Sequence, residues 1–355
     1  MVHKIKKVLI IDDSALMRRM ICDIIAQDSS FEVADMAADG EEGLRLMQQN
    51  MYDVVVLDIV MPLLDGIGVL ERMQTMQDAP SVVIFSNEGG AGTQITIRAL
   101  ELGAFEFIKK PVSILDGRQE RFVSRFLQVL NLAARSGERK RRQHRHSSAR
   151  ISGGHAGKVL QAKGDKIVAI ASSTGGPKAL QNVIPLLPAG LDAPVLVVQH
   201  MPAGFTASLA QRLDEMSPLH VQEACDGMEI LPGNVYIAKG GVHMEVVQRG
   251  KQRFILQKDG PTREGVRPCA NYMYESLAQT DYALCVCVIL TGMGCDGTQG
   301  IENLKLQKQV YTIAQDEETS IVFGMPRAAY AAGIVDQQEP IDKVAQAIIN
   351  YVGVK

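Results

Sequence analysis

Short apolar runs alternate with amphipathic segments in two separate parts of the chain. In the first part, Val8 to Ile11, Phe31 to Ala34, Val54 to Leu57, Val82 to Phe85 and Phe105 to Ile108 predict five strands. Between them, Ala15 to Gln27, Gly40 to Gln49, Ile67 to Met76 and Thr93 to Leu102 show helical periodicity, and Ser113 to Ala134 predicts a fifth helix. This rhythm predicts an α/β fold, a flavodoxin-like five-stranded parallel doubly wound sheet in the order 2-1-3-4-5, with its site at the C-terminal strand ends. The second part opens on Ile167 to Ile170, an apolar run followed at once by Ser172, Ser173, Thr174, Gly175, Gly176 and Pro177. That order reads as a buried strand, a tight turn and a helix start. Val195 to Gln199 ends at His200, and Ala283 to Thr291 ends in Gly292-Met-Gly-Cys-Asp-Gly297. A second doubly wound α/β domain follows, with a small antiparallel excursion expected from Val235 to Gln257.

Charge divides the chain a third way. The net charge is −3 over 355 residues. Residues 1 to 116 and 167 to 355 are acidic, however, while the stretch between them is strongly basic. Arg135 to Arg150 lacks hydrophobic periodicity and Ile151 to Gly157 adds three glycines, so residues 131–160 are expected to be a basic flexible linker. It separates a domain at 1–130 from one at 161–355. The charged N-terminus does not make a signal peptide, and no apolar stretch is long enough to span a membrane, so a cytoplasmic protein without membrane insertion is expected. Six cysteines without C-x-x-C spacing predict reduced thiols and neither disulfides nor zinc.

At the strand ends of the first domain stand Asp12 and Asp13, Asp58, Ser86 and Lys110. Three carboxylates on one edge repel one another and need a hard cation such as Mg²⁺, or a nearby ammonium, to be tolerated. The set suits a phosphoryl acceptor. Asp58 is the candidate nucleophile, Asp12, Asp13 and Asp58 the candidate metal ligands, and Lys110 and Ser86 the groups that pair with the phosphate.

In the second domain three strand ends present Ser173, His200 and Asp296, a nucleophile, a base and a carboxylate to orient the base. Ser172 competes with Ser173 for the first role. A rival reading takes Gly292, Gly294 and Gly297 as a dinucleotide fingerprint, but Asp296 inside that turn would repel a pyrophosphate. Another rival treats the chain as a regulator whose second domain binds nucleic acid without catalysis. It lacks a helix-turn-helix pattern and keeps its positive charge outside the folded domains, so no DNA partner is expected. Cys295 and the remaining histidines are weaker candidates for hydrolysis.

The stretches Ile11-Asp-Asp-Ser14, Leu57-Asp-Ile-Val-Met-Pro-Leu-Leu-Asp-Gly66 and Lys109-Lys-Pro111 resemble the response-regulator receiver. That resemblance implies phosphorylation of Asp58 by a chemotaxis histidine kinase with Mg²⁺, and a switch through Ser86 and Phe107. Asn87 stands where receivers usually carry a small residue. The second domain, with Ser172-Ser-Thr-Gly-Gly-Pro177, Gln199-His-Met-Pro-Ala-Gly-Phe-Thr206, Leu231-Pro-Gly-Asn-Val-Tyr-Ile-Ala238, Leu290-Thr-Gly-Met-Gly-Cys-Asp-Gly297 and Ala314-Gln-Asp-Glu317, resembles the chemotaxis protein-glutamate methylesterases. The resemblance implies Ser173 as nucleophile, His200 as base and Asp296 as orienting acid, with Thr174 and the backbone N–H of Met293 supporting the histidine and the oxyanion. It implies no cofactor in this domain. The implied substrates are glutamyl methyl esters on the cytoplasmic helices of methyl-accepting chemoreceptors, with deamidation of glutamines as a second activity. Cys269 and Asn271 stand where that family tends to show Ser and Asp, and Lys239 where it shows Pro. A receiver ahead of a hydrolase also predicts that the unphosphorylated receiver restrains the enzyme.

Overall fold

A computed structural model describes residues 4–86, 91–111, 119–145 and 164–355, which fall into two compact units, Met1–Ile151 and Ser152–Lys355. Asn87 and residues 146–160 of the expected linker lie outside the described residues.

In the first unit β1 (Lys6–Ile11), β2 (Phe31–Ala37), β3 (Val54–Leu57), β4 (Ser81–Ser86) and β5 (Glu106–Lys109) form one parallel sheet in the order β2-β1-β3-β4-β5. The central strands are apolar on both faces because helices cover both: Val8 to Ile11 and Val54 to Leu57 are buried throughout. Helices α1 (Ala15–Ile25), α2 (Gly40–Gln49) and α3 (Gly66–Met73) each start at a side-chain cap. Ser14 accepts from Met17 N–H, Asp39 from Glu42 N–H and Asp65 from Gly68 N–H, which satisfies donors that a helix start leaves unpaired. Helix α4 (Ala91–Glu101) precedes β5, and α5 (Gln119–Arg145) ends the unit.

Helix α5 differs from expectation. The composition predicts a flexible linker from residue 131, whereas the helix continues through Arg145, with Ala133, Ala134 and Ser136 buried. Arg, Lys, Glu and Gln are good helix formers, so a run without an apolar face prolongs a helix already nucleated by Phe126, Val129 and Leu130.

The second unit holds a seven-stranded parallel sheet, β14-β13-β12-β6-β7-β9-β8. Its strands are β6 (Lys166–Ser172), β7 (Val195–Gln199), β8 (His220–Glu223), β9 (Asn234–Ile237), β12 (Leu284–Ile289), β13 (Val310–Gln315) and β14 (Gln337–Glu339). Between β9 and β12 the chain makes an antiparallel pair, β10 (His243–Arg249) with β11 (Gln252–Lys258), then α8 (Ala270–Ser276). The expected excursion therefore begins later than Val235. Val235, Tyr236 and Ile237 instead join the main sheet beside β7, where all three are buried. Periodicity alone does not distinguish a short apolar strand of a parallel sheet from one of a hairpin.

Helices α6 (Gly176–Val183), α7 (Phe205–Met216), α9 (Thr298–Lys305), α10 (Met325–Ala331) and α11 (Ile341–Val352) complete the unit. One face of β6, β7 and β12 packs Ala169, Leu196 and Cys287 against Met273, Tyr274 and Leu277. Each large apolar side chain buried there contributes about 1.5–3 kcal/mol. The Tyr274 hydroxyl donates to the Val288 carbonyl at 2.9 Å, so the buried phenol does not go unsatisfied. Among the described residues, no helix is long and apolar enough to cross a membrane.

Candidate active site

The strand register decides which C-terminal ends meet. β6 lies between β12 and β7, with Ser172 opposite Gln199 and Ala171 opposite Ile289. The residues just past these ends, Ser173, His200 and the loop after Leu290, are thus neighbours on one sheet edge. Ser173 N–H donates to Thr291 O at 3.0 Å and His200 N–H to Ser172 O at 3.1 Å, so backbone bonds extend the pairing into the turns.

The two serines are treated differently. Ser172 is fully buried, and its hydroxyl donates to Gln199 Oε1 at 2.6 Å. Gln199 Nε2 in turn donates to the carbonyls of Ser173 (2.9 Å) and His200 (3.2 Å). One buried carboxamide therefore ties the serine turn to the histidine turn. Gly176 is required beside it, because a Cβ there would lie 1.9 Å from Gln199 Oε1. Gly175, the residue before α6, has φ 77°, a left-handed conformation that glycine adopts without steric cost. Ser172 is thus committed to structure, while Ser173 keeps 6% exposure at the strand end.

His200 Nε2 lies 2.7 Å from Asp296 Oδ2, and His200 Nδ1 is buried without a hydrogen-bond partner. With Nε2 committed to the carboxylate as donor, Nδ1 is the basic nitrogen of the neutral ring. Asp296 is 2% exposed and accepts more than this one bond. Ala270 N–H reaches Oδ2 at 2.6 Å, and Asn271 N–H and Cys269 Sγ–H reach Oδ1, each at 3.0 Å. Burial alone would raise its pKa, but the bonds from His200, Cys269 and Ala270 outweigh burial and hold it below the ordinary carboxylate value. The carboxylate therefore stays ionised and fixed in place.

The loop from Gly292 to Gly297 carries Asp296 and passes directly over Ser173. A Cβ on Gly292 would lie 2.8 Å from Ser173 Cβ and 2.3 Å from Met325 Sδ. Gly292 O accepts from Gly324 and Met325 N–H, which pins the loop to the start of α10. Met293 is the next residue and is half-buried. Thr174 is buried, and its hydroxyl has no hydrogen-bond partner.

The weaker candidates fall elsewhere. Cys295 is exposed, its thiol donates to Glu264 at 3.3 Å, and its pKa is raised by burial and by that carboxylate, which disfavours the nucleophilic thiolate. His243 is bonded to Pro261 O and packed on Tyr272, and His220 pairs with Asp214 at an exposed site. Sequence reasoning missed the bridging role of Gln199 and the contacts of Cys269 and Asn271 with Asp296. Their only signal was proximity in sequence to His200 and the departure in Arg267-Pro-Cys-Ala-Asn271.

In the first unit a cavity of 460 Å³ is lined by Asp13, Ser14, Met17, Asp58, Val60, Ser86, Lys110 and Pro111. Lys110 Nζ lies 2.6 Å from Asp58 Oδ2 and 2.9 Å from Asp12 Oδ2. One oxygen from each of Asp12, Asp13 and Asp58 falls within 4.8 Å of the others. Three carboxylates against one ammonium leave excess negative charge on hard oxygen donors, so this cluster can bind Mg²⁺. Burial raises the pKa of Asp58, Lys110 only partly opposes the rise, and the Asp12 charge adds to it.

Both units match known families. The model of the CheB methylesterase family matches residues 168–348, and that of the response regulator receiver domain matches residues 8–120. The chain belongs to the CheB methylesterase family. A protein-glutamate methylesterase/protein-glutamine glutaminase of Syntrophomonas wolfei is 41% identical over 98% of this chain and 99% of its own length. The Bacillus subtilis protein of that name is 39% identical over 98% of this chain and 98% of its own. The crystal structure of the Thermotoga maritima CheB methylesterase catalytic domain covers 52% of this chain and 97% of its own, with 43% identity and a TM-score of 0.51. These likenesses support an enzyme of this family and not the nucleic-acid- or nucleotide-binding alternative.

Proposed function

We propose that this chain is a phosphorylation-regulated serine hydrolase that demethylates glutamate methyl esters on the cytoplasmic domains of chemoreceptors, and deamidates glutamines there. The observation that carries the reading is the Asp296–His200 pair, with Nδ1 buried and unpartnered and the His200 N–H bonded to the carbonyl of Ser172, next to Ser173. Ser173 Oγ attacks the ester carbonyl as His200 Nδ1 takes its proton, and Asp296 stabilises the imidazolium through Nε2–H. The tetrahedral oxyanion is met by the Met293 N–H, and the unpartnered Thr174 hydroxyl is available to support the histidine as the reaction proceeds. Collapse breaks the C–O bond, and methanol leaves with the proton from Nδ1. Water then attacks the acyl-enzyme with His200 again as base, which releases glutamate and restores Ser173. With glutamine, the same steps release ammonia.

In the receiver, Asp12, Asp13 and Asp58 would hold Mg²⁺, which supplies charge neutralisation for phosphoryl transfer to Asp58 from a histidine kinase. Lys110 and Ser86 pair with the acquired phosphate, and Phe107 repacks.

The deciding experiment measures methanol release from a methylated receptor fragment by the full-length protein. Ser173→Ala and His200→Ala each abolish release, whereas Ser172→Ala, which breaks only the Gln199 clasp, remains active. An inactive Ser172→Ala beside an active Ser173→Ala reverses the nucleophile assignment. Full activity in the double variant removes the hydrolase reading.

A further inference from the structure

Asp296 is held from one direction by the residues that open α8. Cys269 is fully buried, its Sγ–H reaches Oδ1 at 3.0 Å, and the N–H groups of Ala270 and Asn271 follow it onto the same carboxylate. The clasp is reciprocal. Asn271 Oδ1 accepts from Gly297 N–H at 3.1 Å and Gly300 N–H at 2.6 Å, so the residues just after Asp296 are fastened to the same turn. Gly300 leaves the room for this, since a Cβ there would lie 2.7 Å from Asn271 Cα.

Within this clasp only one donor is a side chain that can be exchanged without moving backbone. We propose that Cys269 is a positioning residue of the hydrolytic site, its thiol holding Oδ1 of Asp296 so that Oδ2 stays on His200 Nε2. The proposal rests on the hydrolase reading above and adds a residue to it. Cys269 touches neither substrate nor the reacting atoms and acts through Asp296.

Thiol chemistry sets a second consequence. An S–H is a weaker donor than an O–H, so it removes less negative charge from the carboxylate it orients. Asp296 thereby keeps more of its charge for the imidazolium of His200 than a hydroxyl at position 269 would leave it. Burial and the Asp296 charge both raise the Cys269 pKa, so the thiol stays a protonated donor throughout the working range.

Other titratable groups feel Asp296, and each stays in one state near neutrality. Glu275 on α8 is ion-paired with Arg263 at 2.7 Å and held ionised. Tyr274 on the same helix is kept neutral by burial. Cys295, next to Asp296 in its loop, has a raised pKa. None of these groups therefore contributes to the acid limb of the kcat/KM profile.

The test uses the full-length protein with a methylated receptor fragment, recording methanol release from pH 5 to 9 for the parent, Cys269→Ser and Cys269→Ala. Cys269→Ser is expected to keep kcat within about threefold and to move the acid limb down by roughly half a unit, because the stronger donor makes Asp296 a poorer partner for the imidazolium. Cys269→Ala is expected to move the limb up by a similar amount and to lower kcat roughly tenfold at unchanged KM, through a freer carboxylate. Opposite shifts are the signature, since a merely structural role changes rate or stability without moving the limb in two directions. Limbs at the parent position in both variants overturn the proposal. If Cys269→Ala does not fold, the limb of Cys269→Ser decides alone in the same way. Should the parent release methanol independently of Ser173, the hydrolase reading fails instead, so the two failures are told apart.

Discussion

Asp58 and Asp296 are both carboxylates buried at the C-terminal edge of a parallel sheet, at 6% and 2% exposure, and they are supported in opposite ways. Asp296 accepts four hydrogen bonds, from His200, Cys269 and two backbone N–H groups, and its pKa is lowered in spite of burial. Asp58 has Lys110 on one oxygen and the Ile59 N–H at 2.7 Å on the other, with Asp12 close by, and its pKa is raised. The difference lies in the donors supplied. On the function proposed above, the carboxylate that orients a base is saturated and fixed. The one proposed to receive a cation and a phosphoryl group is left short of positive charge, beside a cavity.

The comparison is broken most sharply at Asp58. Asp58→Asn in the full-length protein is expected to abolish phosphate incorporation from a small phosphodonor with Mg²⁺ and, with it, any response of methanol release to that donor. Incorporation that survives places the acceptor elsewhere. At the other carboxylate, Asp296→Asn is expected to lower kcat by roughly 10³ to 10⁴-fold, because His200 loses its orientation while the oxyanion donors and substrate binding persist. A rate within tenfold of the parent would mean that the four donors serve the fold and not the base.

The smallest effect is a difference in pH dependence, read by calorimetry of the full-length protein and its variants. Asp296 has a depressed folded-state pKa, so its contribution to stability is present above the unfolded value and is lost as pH falls through the folded pKa. Asp58 has a raised pKa, so its contribution is fully present below the unfolded value and is lost as pH rises through the folded one. Near neutrality the receiver transition of Asp58→Asn should therefore lie above the parent's, and the gap should close as pH falls below about 4. The catalytic transition of Asp296→Asn should lie below the parent's at neutral pH and converge on it in acid. The same sign for both variants would refute the contrast.

Much of this was legible from residue order, for physical reasons. The five receiver strands and the three catalytic strand ends are apolar runs closed by polar residues, and burial on both faces of a parallel sheet forces that pattern. Residue order favoured Ser173 over Ser172 only weakly, because the partner that engages Ser172, Gln199, is 27 positions away and no local pattern encodes the contact. The same holds for Cys269 and Asn271, whose bonds to the Asp296 loop cross from one helix start to another. The continuation of α5 through the basic run was hidden because periodicity reports a buried face, while propensity alone prolongs a helix end.

The sheet of the catalytic unit is not built in the order in which the chain is made. β6 occupies a central position, and the strand on one side of it, β7, follows within the next stretch, but the strand on the other side, β12, pairs Leu284 with Lys166. A nascent chain thus acquires Ser173 and His200 early and holds one edge of β6 open until the last third of the unit emerges. That edge is exposed to mispairing, and its closure is a non-local, slow step. Asp296 arrives only with the loop after β12, and Cys269 only shortly before it. On the proposed mechanism, Ser173 and His200 therefore lack their third partner until the second half-sheet docks.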